Sequence, residues 1–394
     1  MLTEQSAATV RATLPAVGAA IGEITERFYG RLFAAHPELL RNLFNRGNQA
    51  SGAQKQALAG SIAAFATHLL DHPDRRPDAM LARIAHKHAS LGVSAEQYEV
   101  VHEHLFDAIA EVLGDAVTPE VAAAWDEVYW LMAHALVAVE KRLYEESAGR
   151  GFREFEVVER VTETADVVTF RLRPADGGPV AGFRAGQYVS VRVTLDDGAR
   201  QIRQYSLSGA PGERVRQISV KRVDGGTAPD GEVSHHLHAR VRPGDLLELS
   251  EPYGDLVLAG GPDTPLLLAS AGIGVTPMVA MLADLAASGH RGPVTVVHGD
   301  RSPAEHALRA GQRAYAGELP ESAVHLFYER DAEPGTRTGP VDLAGIAVPP
   351  GTRAYLCGPL PFLRAVRAQL IARGVAPADV HYEVFGPDLW LAQD

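Results

Sequence analysis

One cysteine, Cys357, stands among the 394 residues of the chain, and this excludes internal disulfides and any cysteine-rich zinc or iron–sulfur site. Positive charge is scarce: 37 Lys and Arg against 49 Asp and Glu leave a net charge of −12. Such a surface repels polyanions, so neither nucleic acid nor an anionic membrane face is an expected partner. Long apolar runs are missing too. The longest, PLLLASAGIGV, is interrupted by glycine, so no integral membrane insertion is expected. The opening MLTEQSAATV lacks the charged-then-apolar pattern of a secretory signal, and a cytoplasmic location is the expectation. Internal repeats and low-complexity linkers are also absent.

What remains is a 46% apolar, globular composition long enough for two or three domains, and three textures follow one another along it. Residues 1–147 are rich in Ala, Leu, Glu and Arg, with apolar residues at helical spacing between breakers such as His36-Pro37, Pro73, Pro77 and Gly92, which predicts an all-α domain. Residues 151–259 hold short alternating runs, FEVVERV, VVTFRLRP, QYVSVRVTL, RQISVKRV and DLLELSEP, separated by Gly, Pro and Asp clusters. They predict antiparallel strands closed into a small β-barrel. Residues 264–394 alternate buried strand-like runs (PLLLAS, PVTVVHG, VHLFYE, AYLCG) with helical ones (GIGVTPMVAMLADLAASG, PFLRAVRAQLIARG), the pattern of an α/β parallel sheet with crossover helices. SAGRGFRE, at 147–154, reads as a domain junction.

The second half carries the more specific motifs. IRQYSLSG sets Arg203, Gln204, Tyr205 and Ser206 along one strand, with Gly186-Gln187-Tyr188 on an earlier one. An isoalloxazine ring needs an aromatic partner and hydrogen bonds at its edge, and a flavin diphosphate needs a guanidinium. Tyr188, Tyr205 and Ser206 suit the ring, and Arg203 the phosphates. GGTAPDGEVSHHLH adds backbone donors and Ser234 for the same phosphates. An ordinary strand with an arginine and a tyrosine would explain the tetrapeptide alone. Here the chain resembles the ferredoxin reductase superfamily, whose Arg-x-Tyr-Ser signature it matches. SAGIGVTPM, with Gly272, Ile273, Gly274, Val275, Thr276 and Pro277, lies between a strand and a helix, where glycines let a pyrophosphate approach and the helix N-terminus supplies donors. The resemblance places the Cys357-Gly358-Pro359 turn beside a nicotinamide, and Glu383, Val384, Phe385, Gly386 and Pro387 near flavin and nicotinamide. A buried structural thiol is an equal reading of Cys357. Asp300 beside Arg301 offers one residue suited to a ribose hydroxyl and one suited to a 2′-phosphate, leaving NADH against NADPH open.

In the first half, LARIAHKHASLGV places His86 and His88 two residues apart on a helix, so they point to nearly opposite sides. Leu81, Ile84, Ala85 and His88 share one face, while His86 falls with Arg83 and Lys87 on the polar side. His88 is the inward candidate; a core histidine bonded to a backbone carbonyl is the common alternative. A fused reductase needs an electron acceptor, and an all-α domain with one inward histidine, a HPELLRNLF corner and this length resembles a globin. From end to end, the chain resembles a flavohaemoglobin.

That resemblance implies His88 as the proximal ligand of haem b, Phe44 against the haem face, and Tyr29, Gln54 and Leu58 in the distal pocket. It implies Tyr98 and Glu140 behind the ligand, where a carboxylate on the free N–H raises imidazole basicity and favours oxygen activation over storage. Lys87 and Glu383 fall near the meeting of haem and flavin domains. The implied activity is nitric oxide dioxygenase, a detoxification in which NO and O2 become nitrate and electrons pass from NADH or NADPH through FAD to haem. Tyr29 and Gln54 would hydrogen-bond the dioxygen. The expected partners are the small molecules NO, O2 and NAD(P)H, with the chain a monomer. A flavin or ferric haem reductase, or an O2/NO sensor built on the globin, are the competing readings; a sensor would carry an output domain where this chain carries a reductase.

Overall fold

The computed structural model describes residues 1–147, 151–226 and 229–386. It divides into two compact units. Met1–Gly151, Val193–Arg203 and Gly386–Asp394 form one, and Phe152–Arg192 with Gln204–Phe385 the other.

The first unit holds seven α-helices among the described residues: α1 (Glu4–Ala35), α2 (Pro37–Asn42), α3 (Arg46–Ala50), α4 (Ala53–Asp71), α5 (Asp78–Leu91), α6 (Glu96–Leu113) and α7 (Pro119–Glu146). Their ends follow local chemistry. The Thr3 hydroxyl caps α1 by accepting from Ser6 N at 3.2 Å, and Thr118 caps α7 ahead of Pro119, whose missing N–H costs nothing in a first turn. Gly92 ends α5 at φ +77°, a conformation open to glycine. The buried faces of α1, α4, α5, α6 and α7 meet in one core containing Ile24, Phe28, Leu32, Phe65, Leu81, Leu105, Trp125 and Leu136. At roughly 1.5–3 kcal/mol per fully buried apolar side chain, this contact rather than helix propensity holds the helices.

The second texture forms β1 (Phe152–Thr162), β2 (Val167–Pro174), β3 (Tyr188–Thr194), β4 (Arg200–Ser206), β5 (Arg216–Lys221), α8 (Glu232–Arg240) and β6 (Leu246–Ser250). The strand order is β4-β3-β6-β1-β2-β5. Its two ends meet: Leu207 bridges Ile218, and Ser208 N donates to Gln217 O at 2.9 Å, which closes the sheet on itself and removes its edges. The expected barrel is thus present. The sequence reading did not separate α8 from the loop before it.

The third texture forms β7 (Leu266–Ala271), α9 (Val275–Ser288), β8 (Val294–Asp300), α10 (Arg309–Glu318), β9 (Ser322–Tyr328), β10 (Arg337–Thr338), β11 (Arg353–Cys357), α11 (Leu360–Ala372) and β12 (Val380–Glu383). All six strands are parallel, in the order β10-β9-β8-β7-β11-β12. After β7 the chain builds outward through β8 and β9, then returns to the other side of β7 with β11. The carboxyl ends of β7 and β11 therefore flank a topological switch point, where open α/β sheets bind ligands.

Beneath those strand ends lies a buried polar cluster. Ser270 Oγ and His298 Nδ1 are 2.8 Å apart, the rings of His298 and His306 stack at 3.9 Å, and His306 Nδ1 meets the Tyr328 hydroxyl at 2.9 Å. Burial, with His298, Arg309 and Arg313 nearby, pushes His306 down to about 2. Below its ordinary value of 6.5 the unfolded chain takes up a proton at His306 that the folded chain refuses, so stability falls with pH at about 1.4 kcal/mol per unit. Chemical denaturation at pH 6.5 and 5.0 should show a loss of about 2 kcal/mol that His306→Gln abolishes. An equal pH slope in the variant would assign the acid sensitivity elsewhere.

Candidate active site

Glu140 decides the state of His88. It projects from α7 with only 2% of its surface exposed, and its Oε1 lies 2.9 Å from His88 Nδ1 on α5. Tyr98 on α6 donates to the same oxygen at 2.5 Å, and its hydroxyl stands 2.9 Å from His88 Nδ1. Burial first, and then the Glu140 charge, push the Tyr98 phenol far up, so it remains a donor. A carboxylate only accepts; the Nδ1 proton is therefore held toward Glu140, and the lone pair is left on Nε2. Nε2 makes no hydrogen bond to any described residue. Two further α7 hydroxyls hold the corner between α5 and α6, Tyr129 donating to Tyr98 O at 2.6 Å and Tyr144 to Val93 O at 2.8 Å. His86 lacks the Glu140–Tyr98 pair, as the helix geometry requires.

Tyr29 of α1 lies in the same core, 4% exposed. Its ring meets Phe44 edge-on at 5.9 Å and Phe33 in a stack at 5.6 Å. Burial pushes its phenol far above the ordinary value, against a smaller opposing pull from the nearby Gln54 and then Gln49 amides. The buried Nε2 of Gln49 has no hydrogen-bond partner among the described residues. Gln49 is absent from the sequence reading. Phe44, Leu58, Ile62, Ile84, Val93 and Val101 pack on the core while staying partly exposed. An unpaired imidazole nitrogen in a helical unit whose core carries partly exposed apolar side chains is a donor set that fits a flat apolar group carrying iron. Lys87 Nζ, on the polar side of α5, donates to the Gly386 carbonyl.

On β4 the alternation of a strand puts Arg203 and Tyr205 on one face and Gln204 and Ser206 on the other. Ser206 is buried, with 5% of its surface exposed. Arg203 Nη1 donates to Ile202 O at 2.7 Å and to Gln201 Oε1 at 3.2 Å. Gly186, at φ +100°, passes so near Leu256 that a Cβ would stand 1.9 Å from its carbonyl oxygen, and Gly254 runs over the Tyr188 ring. Two hydroxyls expected at phosphates have local backbone partners in the structure. Ser234 Oγ donates to Gly231 O at 2.9 Å and accepts from Val223 N, and Thr276 Oγ1 donates to Ile273 O at 2.9 Å. Residues 227–228 of the adjoining loop lie outside the described residues.

At the switch point, β7 turns through Gly272–Gly274 into α9, and β11 turns at Cys357-Gly358 into α11. A Cβ on Gly274 would stand 2.2 Å from Cys357 O, and one on Gly358 would stand 2.9 Å from the Phe362 ring. The two turns touch backbone to backbone and form a cradle without side chains, with buried Val275, Thr276 and Pro277 beneath it. Cys357 is fully buried, and burial, followed by the charge of its strand partner Glu383, pushes its thiol up, as befits a packed thiol rather than a nucleophile. Val384 and Phe385 follow Glu383; Pro387 lies outside the described residues. Asp300 Oδ1 accepts from Arg301 N at 2.8 Å, and Arg301 Nη2 is held by Glu305 at 2.7 Å and Asp166 at 3.4 Å.

Comparison with known proteins agrees with each part. Family models match residues 26–136 as globin, 154–257 as an oxidoreductase FAD-binding domain and 268–368 as an oxidoreductase NAD-binding domain. A flavohemoprotein of Rhizobium meliloti is 42% identical over 99% of this chain and 100% of its own length. That of Deinococcus radiodurans is 42% identical over 98% of each. The chain belongs to the flavohemoprotein family. A flavohemoglobin from Malassezia yamatoensis, solved with bound FAD and heme, superposes with a TM-score of 0.91 at 39% identity over 98% of this chain and all of its own. The FAD/NAD-binding domain of a nitric oxide dioxygenase from Vibrio cholerae covers 60% of the chain at 39% identity, TM-score 0.57. Flavohemoproteins are nitric oxide dioxygenases, NAD(P)H-dependent oxidoreductases that use FAD and haem. Among the described residues no helix is long and apolar enough to cross a membrane.

If the glycine cradle receives the dinucleotide, Gly274→Ala must force the two turns apart. Overpacking of about 1–3 kcal/mol corresponds to a rise of roughly five- to 150-fold in KM for NADH, read as ferricyanide reduction by the full chain. An unchanged KM would remove Gly274 from the site.

Proposed function

We propose that nitric oxide dioxygenation in this flavohemoprotein runs on three sites, in domains spanning 1–147, 151–259 and 264–394. We also propose that it works as a monomer in the cytoplasm, one chain carrying every site the reaction needs. The net reaction is 2 NO + 2 O2 + NAD(P)H → 2 nitrate + NAD(P)+ + H+. When bound, haem supplies the centre at which O2 and NO combine, and FAD converts the two electrons of a hydride into single electrons.

The residues divide the remaining work. His88 offers Nε2 as the iron ligand while Glu140 and Tyr98 hold its Nδ1 proton. The carboxylate makes the imidazole a stronger electron donor, which suits oxygen chemistry better than oxygen storage. Phe44 would pack against the haem face, and Leu58 would limit the space for diatomics beside Tyr29. Tyr29 and Gln54 would donate hydrogen bonds toward a diatomic ligand on which negative charge develops. Arg203 neutralises the flavin diphosphate, with Ser234 near it. Gln204, Tyr205, Ser206 and Tyr188 hold the flavin ring. Gly272, Ile273, Gly274, Val275, Thr276 and Pro277 receive the dinucleotide pyrophosphate on backbone donors. Cys357 and Gly358 border the nicotinamide, while Glu383 through Pro387 and Lys87 lie toward the flavin. The Glu140–His88 pair carries this reading, because a buried carboxylate on one ring nitrogen with the other nitrogen unpaired is the arrangement of a metal-binding imidazole. A flavin reductase would not require that pair.

His88→Ala should purify without a Soret band yet keep NADH-driven ferricyanide reduction, and His86→Ala should keep its haem. The reverse pattern would move the ligand to His86. Tyr29→Phe deletes one donor at constant ring volume. A hydrogen bond to a partly charged oxygen is worth about 1.5–3 kcal/mol, so O2 should dissociate from the reduced holoprotein about ten- to a hundredfold faster, with haem content unchanged. A rate within twofold of the parent would leave Tyr29 a core filler.

A further inference from the structure

We propose that Gln201 is a positioning residue that joins the flavin and haem sites: one end of its buried amide holds Arg203 and the other holds the corner that carries Phe44, so that filling either site steadies the other. This rests on the readings of Arg203 at the flavin diphosphate and of Phe44 against the haem face.

Gln201 lies on β4 two residues before Arg203, on the same face of the strand, and is fully buried. Its Nε2 stands 2.9 Å from Arg41 O and 3.3 Å from both Leu40 O and Phe44 O, while its Oε1 accepts from Arg203 Nη1 at 3.2 Å. Three carbonyls on one side and a guanidinium on the other fix which way the amide points. The last carbonyls of a helix have no partner inside it, and for α2 a strand residue far along the chain supplies the donor. Burying an amide costs free energy that a leucine would not, and only these partners offset it. An ionised glutamate would accept without donating, and a lysine would donate without accepting; glutamine does both.

The turn between β3 and β4 grips the same corner, and all of these residues belong to the first compact unit. Asp197 O accepts from Arg41 Nη2 at 2.6 Å, Asp197 Oδ2 from Arg46 Nη1 at 2.6 Å, and Asn42 Oδ1 from Arg200 N at 3.2 Å. Arg41 ends α2 and Arg46 begins α3, so Phe44 lies between two anchored arginines, its ring edge-on to Tyr29 at 5.9 Å and to Phe33 at 5.3 Å. The Asp197 pairs are exposed and contribute little each. Gln201 is the buried contact, and it is the one that also holds Arg203. A diphosphate that fixes Arg203 fixes Oε1, then Nε2, then the corner; a haem that fixes Phe44 acts in reverse, and linkage makes the two effects equal.

The full-length haem-loaded protein is stripped of FAD and titrated with it, as parent, Gln201→Leu, Gln201→Glu, Arg203→Ala and Phe44→Ala. FAD affinity is read from flavin fluorescence, and haem loss from transfer to excess apomyoglobin. In the parent, saturating FAD should slow haem loss about five- to tenfold. Gln201→Leu should weaken FAD binding about three- to tenfold and lose haem at one fast rate with or without FAD. Gln201→Glu, which keeps the acceptor and drops the donor, should bind FAD within about twofold of the parent yet also lose haem at a rate that ignores FAD. The proposal falls if haem loss from the parent is indifferent to FAD, or if FAD slows haem loss from Gln201→Leu as much as from the parent. It falls equally if Gln201→Glu weakens FAD as Gln201→Leu does, since the residue would then act by filling space rather than by its two ends. Unchanged FAD affinity in Arg203→Ala, or unchanged haem loss in Phe44→Ala, would instead overturn the underlying reading of that residue, and each is visible without reference to Gln201.

Discussion

A carboxylate sealed inside the helical unit organises what surrounds it. Removing Glu140 from water costs several kcal/mol, and only donors aimed at it can offset that. It has two, the Nδ1 proton of His88 and the Tyr98 hydroxyl, and they arrive from α5 and α6 while Glu140 comes from α7. Three helices are thereby fixed in rotation as well as in contact, since turning any of them by one residue would carry its partner about 100° away and strand the charge. The orientation of Nε2 follows from that constraint and needs no device of its own.

The parallel sheet depends on a constraint of the opposite kind, the exclusion of side chains. Gly274 and Cys357 come so close that any Cβ at 274 would overlap the Cys357 carbonyl, and the same crowding recurs where Gly186 passes Leu256. Both contacts are between backbones, so what they leave exposed is backbone donors and flat space, the surface that a pyrophosphate and a planar ring require. The structural reading of Cys357 is the one this packing favours. Its thiol is fully buried and pushed up, and it contributes volume at the wall of the cradle.

Much of this was legible in the sequence, and what was not has identifiable causes. The choice of His88 over His86 needs only the angular step of a helix, and the barrel strands announce themselves by alternation. Glycine motifs located the switch point because their spacing sits between a strand and a helix. By contrast α8 hides in a polar, histidine-rich stretch with a weak apolar stripe, α10 is similarly polar, and β12 is four residues long. Ser234 and Thr276 were read from residue type, which says that a hydroxyl is present and not where it points; in the structure both donate to nearby backbone carbonyls. Gln49 was missed for a related reason. It lies on a five-residue helix whose sequence has no periodicity to read, and its position against Tyr29 is set by the fold.

The electrostatic character of the helical site differs around its two key residues. Around His88 the polar groups end in a full negative charge, shielded by burial and therefore effective over the few ångströms to the ring. Around Tyr29 the nearby polar groups are the neutral amides of Gln54 and Gln49, and burial raises the phenol well above its ordinary value, so it stays protonated at neutral pH. If His88 and Tyr29 serve as proposed, charge is concentrated where it can push electron density through an imidazole, while the groups that would meet an incoming diatomic are neutral. A charged donor such as lysine in place of the phenol would bind any anion that formed there and hold the product. A phenol stabilises developing charge during reaction and releases a fully formed anion more easily, so a neutral donor set suits a site that must turn over nitrate rather than retain it.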